Sequence, residues 1–167
     1  VDPGRRMTEE PRRGEGERRM VLASCGRDCG APRAFNSKRG TVIEDGRDID
    51  RLMAGTGAQV GMLFDTGHLV LAGVDPLSVL NEHGKRISHV HTKDIRADVR
   101  AGLDWQRDSF LDAGLQGVYT VPGDGRINFD AGIARPADTG YPGWVGVEAG
   151  AEPPSAPPPH MAPIGHP

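Results

Sequence analysis

The chain has 167 residues with 20 basic and 23 acidic side chains, a net charge of -3, 37% hydrophobic residues and only 5% aromatic ones. That balance excludes the basic footprint of a nucleic-acid binder, and no apolar run approaches the roughly 20 residues needed to cross a bilayer, so the expectation is a cytoplasmic protein without nucleic-acid or membrane partners. The length suits one ordinary domain but falls short of the roughly 250 residues of a complete (β/α)8 barrel.

Residues 1–40 are crowded with Arg, Glu, Gly and Pro and keep no period of 2 or 3.6, which predicts a poorly ordered segment. Its charges stand where a secretory signal needs an apolar stretch. Cys25 and Cys29 are the only cysteines, and their C-x3-C spacing matches no common zinc or redox pattern. From 41 to 150 the pattern changes. Glu44, Asp45 and Asp48 supply acid at a helix start, Ile49, Leu52 and Met53 supply one apolar face, and Gly55 or Gly57 supplies a stop. A strand follows at Val60-Gly61-Met62-Leu63-Phe64-Asp65, an apolar run that ends abruptly in Asp65-Thr66-Gly67-His68. Asp75 and Pro76 make an N-cap and first-turn pair for a helix with Leu77, Val79 and Leu80 as its stripe and Gly84 as its end. The next strand is Arg86 to His91.

Trp105 to Leu115 predicts another helix, with Trp105, Phe110 and Leu111 on its apolar side. Val121-Pro122-Gly123-Asp124-Gly125 is a loop because Pro and two Gly punctuate it. A helix from about Phe129 to Thr139 is interrupted by Pro136, and Gly143 to Glu148 forms a last strand. Residues 151–167 are an extended, Pro-rich tail without an apolar period. Strands alternating with helices imply a parallel sheet in an α/β fold.

Three of these strands end in groups that bind metals: Asp65, His91 and Glu148. Buried parallel strands deliver residues to the rim of an α/β barrel in this way. A divalent ion such as Mn²⁺, Co²⁺ or Mg²⁺ takes carboxylate oxygen with imidazole and keeps open positions for substrate oxygens. Taken singly, Asp65 reads as a helix N-cap, His91 as a hydrogen-bonded strand end and Glu148 as a solvated carboxylate. Their placement at three strand ends favours a metal site. His89 and His91 share a face of their strand, and His91 is nearer the rim. Lys93 shares that face and reads either as a surface lysine or as a group that donates to a substrate oxygen or polarises a carbonyl. Asp94 reads as structural.

The order and spacing of Asp48-Ile49-Asp50-Arg51-Leu52-Met53, Asp65-Thr66-Gly67-His68, His89-Val90-His91-Thr92-Lys93-Asp94, Phe110-Leu111-Asp112, Val121-Pro122-Gly123-Asp124-Gly125 and Gly143-Trp144-Val145-Gly146-Val147-Glu148-Ala149 resemble the C-terminal half of the inosose dehydratases, within the xylose isomerase-like TIM barrel superfamily. The resemblance covers residues 41–150 and implies a partial (β/α)8 barrel, a truncated and partly divergent copy, between the poorly ordered segment and the tail. It implies a metal-dependent lyase that eliminates water from 2-keto-myo-inositol in inositol catabolism. Asp65, His91 and Glu148 carry over as ligands of Mn²⁺ or Co²⁺, and His68 and Lys93 as catalytic candidates for proton transfer or substrate contact. The same superfamily holds sugar isomerases and epimerases, and a non-catalytic remnant is the reading of a different class. A homo-oligomer or a completing chain is the expected partner, beside a cyclitol or sugar.

The chain departs from the family pattern in three places. The first strands of the barrel have no counterpart, which predicts open sheet edges and an exposed apolar interior. Asn36-Ser37-Lys38-Arg39 replace a histidine-rich stretch just before Gly40-Thr41, and a cation there would repel the ion. Finally, Gly150-Ala151-Glu152-Pro153 follow Ala149 where the family continues with acidic residues.

Overall fold

Alternation along the parallel strands separates a face covered by helices from a face that carries chemistry. The computed structural model describes residues 33–131 and 139–148. Four parallel strands form the main sheet in the order β1 (Arg33–Asn36), β2 (Val60–Asp65), β3 (Ile87–Thr92), β6 (Val145–Val147). Five helices occur among the described residues: α1 (Gly46–Gly55), α2 (Thr66–Leu71), α3 (Pro76–His83), α4 (Ala97–Gly102) and α5 (Phe110–Leu115). A two-stranded antiparallel ribbon, β4 (Asp94–Ile95) with β5 (Tyr119–Thr120), stands beside the main sheet. The arrangement is part of a (β/α)8 barrel.

On one face of the sheet Met62, Phe64 and Val90 have no exposed surface. They pack in one cluster with Ile49 and Met53 of α1, Leu69 and Leu71 of α2, and Val79 and Leu80 of α3. Burying each such side chain contributes about 1.5–3 kcal/mol, so this layer fixes the strands in register. The opposite face is set by the same register. Asn36 pairs with Leu63, Leu63 with His89, Asp65 with His91, and His91 with Gly146. Paired residues point the same way, so this face is largely polar, with Asn36, Asp65, His89 and His91 beside Leu63, where an exposed apolar interior was expected of a partial barrel. The exposed apolar residues near the sheet are instead Trp144, Val145 and Val147, on and beside β6.

Local chemistry explains the elements. Helix α1 begins in a capping box: Asp48 N–H donates to Asp45 Oδ1 at 3.0 Å and Asp45 N–H donates back to Asp48 Oδ2 at 3.4 Å. Helix α3 is capped by Asp75, has Pro76 in its first turn and gives way at Gly84, as its sequence predicts. The Arg86 guanidinium donates to the carbonyls of Val60, Met53, Thr56 and Gly57, tying the end of α1 to the start of β2.

Several elements differ from the sequence reading. Strand β1 lies inside the stretch assigned to the poorly ordered segment; only Phe35 in it is a large apolar residue, and pairing with β2 makes it a strand. The helix expected over 105–115 is confined to Phe110–Leu115, because Ser109 and Asp112 form a capping box there. The preceding residues fold into a turn in which Asp104 accepts from the amides of Arg107 and Asp108. Helix α4 and the β4–β5 ribbon were not anticipated. Of the helix expected over 129–139, a 3-10 turn at Phe129–Ala131 is present and residues 132–138 lie outside the described residues. The N-terminal segment up to residue 32, with Cys25 and Cys29, and the tail 151–167 also lie outside them. No helix among the described residues is long and apolar enough to cross a membrane.

Candidate metal centre

Asp65 is the last residue of β2, His91 the penultimate residue of β3, and Glu148 the first after β6. Since β2, β3 and β6 are neighbours in register, their C-terminal ends bring these residues to one point on the polar face. One ligand atom from each lies within 4.8 Å of the others. His91 Nδ1 is 2.8 Å from Glu148 Oε1 and 3.9 Å from Asp65 Oδ2, while its Nε2 is 3.1 Å from His89 Nε2.

Asp65 is almost fully buried and its two oxygens do different things. Oδ1 caps α2 by accepting from His68 N–H at 3.0 Å. Oδ2 is buried without a hydrogen bond of acceptable geometry. It stands 3.2 Å from the Lys93 ammonium and 3.5 Å from His68 Nε2, and a buried carboxylate oxygen that also faces the His91 imidazole and a second carboxylate fits a divalent cation. The donor set, two carboxylates and one imidazole, is that of a hard to borderline metal with open coordination positions. Asn36 Oδ1 on the neighbouring β1 is also buried and unpartnered, and register puts it on the same face.

The segment Thr66-Gly67-His68 organises Lys93 on the next strand. Thr66 Oγ1 donates to Lys93 O at 2.7 Å and accepts from Lys93 N–H at 3.1 Å. A Cβ on Gly67 would collide with Lys93 Cγ, so only glycine leaves room for the lysine stem. Lys93 Nζ contacts Glu148 Oε2, stands 3.2 Å from Asp65 Oδ2 and 3.5 Å from His68 Nε2, and lies 5.2 Å from the centre of the Tyr119 ring. Burial holds Glu148 up, but its hydrogen bond to Lys93 and the charges of Lys93, His91 and His68 outweigh that and keep its carboxyl below the usual range.

His68 is buried, and its Nδ1 is hydrogen-bonded to Tyr119 Oη at 3.0 Å. Burial lowers its pKa to about 4; the Asp65 charge works in the opposite direction and the Lys93 charge in the same one. Tyr119 is pushed up, by burial first and the Asp65 charge second. Tyr119 and Asn36 did not emerge from the sequence as site residues. No local signal marks Tyr119, since β5 has only two residues and reaches His68 by pairing with Asp94–Ile95.

Asp94, read as structural from the sequence, is fully buried, and its carboxylate accepts from the N–H groups of Ile95, Gly123, Gly125 and Ile127. It therefore holds the Val121–Gly125 loop against the end of β3. A Cβ on Gly125 would strike Asp94 Oδ1, which accounts for glycine there. Arg39 is paired with Glu44 at 3.2 Å and stacked over Trp105 at 4.0 Å. Lys38 does contribute positive potential at His68. A second group of metal-capable residues, Asp50, Glu82 and His83, lies on α1 and α3, with both carboxylates exposed. There His83 Nε2 contacts Asp50 Oδ1 at 2.8 Å and ties the two helices together.

Parallel strands whose C-terminal ends gather two carboxylates and an imidazole define an α/β-barrel protein with a candidate metal centre. The chain belongs to the xylose isomerase-like TIM barrel family, whose family model matches residues 31–164. It is 42% identical to the rhizopine catabolism protein MocC of Rhizobium meliloti over 96% of this chain and 51% of that protein. It is 46% identical to the inosose dehydratase of Geobacillus thermodenitrificans over 71% of this chain and 40% of that enzyme. The chain thus spans about half the length, or less, of these curated relatives. Among solved structures, the IOLI protein with a bound zinc atom superposes with a TM-score of 0.64 at 17% identity, over 87% of this chain and 50% of that one. The probable 3-DHS dehydratase AsbF of Bacillus anthracis gives a TM-score of 0.65 at 15% identity, over 87% and 53%. These two likenesses bear on fold alone.

Proposed function

We propose that this chain carries the metal and proton-transfer residues of a lyase that eliminates water from 2-keto-myo-inositol or a closely related keto-cyclitol, a reaction of inositol catabolism. The observation that carries the reading is the convergence of Asp65, His91 and Glu148 within 4.8 Å, with Lys93 in contact with two of them. The inosose dehydratases among its relatives supply the substrate class.

Asp65, His91 and Glu148 would hold a divalent ion such as Mn²⁺ or Co²⁺, which would supply the Lewis acidity that acidifies the proton alpha to the ketone. Donor and acceptor inventories divide the remaining work. The Lys93 ammonium has only donors to offer, so His68 Nε2, 3.5 Å away, faces it with its lone pair and Nδ1–H points to Tyr119 Oη. His68 Nε2 takes the alpha proton. The carbon–oxygen bond at the neighbouring carbon breaks, and the departing hydroxide takes a proton from Lys93 to leave as water, with an enone as product. Burial of His68, Lys93 and Thr66 keeps bulk water from competing for these protons.

The test uses the purified full chain loaded with Mn²⁺ or Co²⁺ and mixed with 2-keto-myo-inositol. Loss of water with enone absorbance is expected, and His91→Ala and Glu148→Gln should abolish both bound metal and turnover. A folded, metal-loaded protein that leaves the ketone unchanged, or that returns an epimer instead of an enone, overturns the reading.

A further inference from the structure

A cavity of about 430 Å³ opens in the helix layer, lined by residues that the metal centre does not use. Val70, Val74, Leu77 and Ile127 give it apolar walls, and Arg100 and Arg126 are the two basic residues of its lining. Arg100 Nε is buried yet has no hydrogen-bond partner. Neither arginine side chain makes a hydrogen bond or ion pair with any described residue. A buried guanidinium donor without a protein partner, in a cavity whose lining holds a second arginine, fits an oxyanion.

The other polar groups agree with that sign of charge. Asp75, the one carboxylate among the described lining residues, already accepts from Leu77 N–H at 3.0 Å as the cap of α3. Asn128 Oδ1 accepts from Asp130 N–H at 3.1 Å, which leaves the Asn128 amide group as a donor. Two cations therefore face one committed anion. The volume lies in the range of small-molecule pockets, and the aliphatic walls suit an organic body.

We propose that this cavity binds a small organic anion, its carboxylate or phosphate held between Arg100 and Arg126 and its carbon chain lying on Val70, Val74, Leu77 and Ile127. The site is separate from the metal centre, so neither proposal depends on the other.

The test is titration of the isotope-labelled full chain with acetate, butyrate and inorganic phosphate at constant ionic strength, read from the side-chain Nε–H signals of the arginines and the amide group of Asn128. Saturable shifts at Arg100 and Arg126 are expected. Butyrate should bind about tenfold more tightly than acetate, because two methylenes leave water. Phosphate binding more tightly than butyrate would assign the site to a phosphoryl group. Arg126→Ala, at an exposed position, and Arg100→Gln, which keeps much of the stem, should each weaken binding about tenfold or more. Arg107→Ala, on an exposed turn, serves as the control and should change nothing. The proposal falls if none of the three anions gives a saturable response, or if the response survives both substitutions.

Discussion

Asp65 answers two sequence readings at once, and substitution can separate them. Oδ1 caps α2 through His68 N–H, while Oδ2 lies beside the Lys93 ammonium and faces the donor cluster. Asp65→Asn keeps an oxygen for the cap but removes the charge; Asp65→Ala removes both. Both variants lose the ion pair with Lys93, 3.2 Å away, whose gross Coulomb term is about 5 kcal/mol at an effective dielectric of about 20. That loss is common to the pair and cancels in their difference. The difference reports the cap, so in chelator Asp65→Ala should unfold about 1 kcal/mol more easily than Asp65→Asn, within the ~0.5–2 kcal/mol range of N-cap replacements. For metal, the two variants should look alike. A carboxylate oxygen about 2.2 Å from a divalent ion gains about 4 kcal/mol even at the screening of bulk water, so both should lose at least ~100-fold in affinity. Denaturant titration in chelator and calorimetric titration with Mn²⁺ measure the two quantities on the same preparations. Affinity in Asp65→Asn within twofold of the parent would remove Oδ2 from the ligand set. Equal unfolding midpoints for the two variants would remove Oδ1 from the cap.

Asp94→Ala strips the acceptor from four backbone N–H groups and should cost about 3 kcal/mol or more, with faster hydrogen exchange at Gly123, Gly125 and Ile127; unchanged exchange there would show that the loop is held by something else. Tyr119→Phe removes the partner of His68 Nδ1, so it should cost about 1 kcal/mol and shift the imidazole ¹⁵N resonances of His68, whereas unmoved resonances would mean that the ring is oriented without Tyr119. Because burial lowers His68 from 6.5 to about 4, its contribution to stability in chelator is fully present above pH 6.5 and is lost as pH falls through 4, roughly 3 kcal/mol in all. In His68→Gln the stability curve should be flatter between those pH values, and a parent-like slope would refute the assignment.

Strands β2 and β3 and helix α3 were legible because each carries its own boundary. The apolar run Val60–Phe64 stops at a carboxylate, and Asp75-Pro76 and Gly84 bracket one apolar stripe. The convergence of Asp65, His91 and Glu148 was legible for the same reason, since strand ends in a parallel sheet converge without further information. What the sequence hid depends on pairing between distant segments. Strand β1 has no pattern of its own and exists because β2 offers an edge. Tyr119 lies on a two-residue strand and pairs with Ile95, 24 residues earlier in the chain, so nothing near it signals a role beside His68. The spacing of Trp105, Phe110 and Leu111 imitates a helix face, yet Leu111 is 66% exposed. The stripe was accidental there, and the cap at Ser109 decided where α5 begins.

Lys93 sets the terms on which a cation enters. Its backbone is clasped by Thr66, its stem fills the space left by Gly67, and its ammonium lies on Asp65 and Glu148. A divalent ion drawn to the same oxygens meets a positive charge. At a separation of about 4 Å the repulsion is ~2 kcal/mol with the screening of bulk water and ~8 kcal/mol at an effective dielectric of about 20. The ammonium must therefore withdraw when metal binds, and part of the binding energy goes into that movement. Lys93→Met keeps an unbranched apolar stem of similar length and removes the competing charge. Metal affinity should rise by at least ~30-fold, the low end of that range, while the proton needed by the leaving hydroxide is no longer supplied and dehydration stops. Metal content after dialysis against a graded chelator measures the first effect without reference to activity. Weaker metal retention in Lys93→Met would reverse the argument, because the ammonium would then be the group that holds Asp65 and Glu148 in position for the ion.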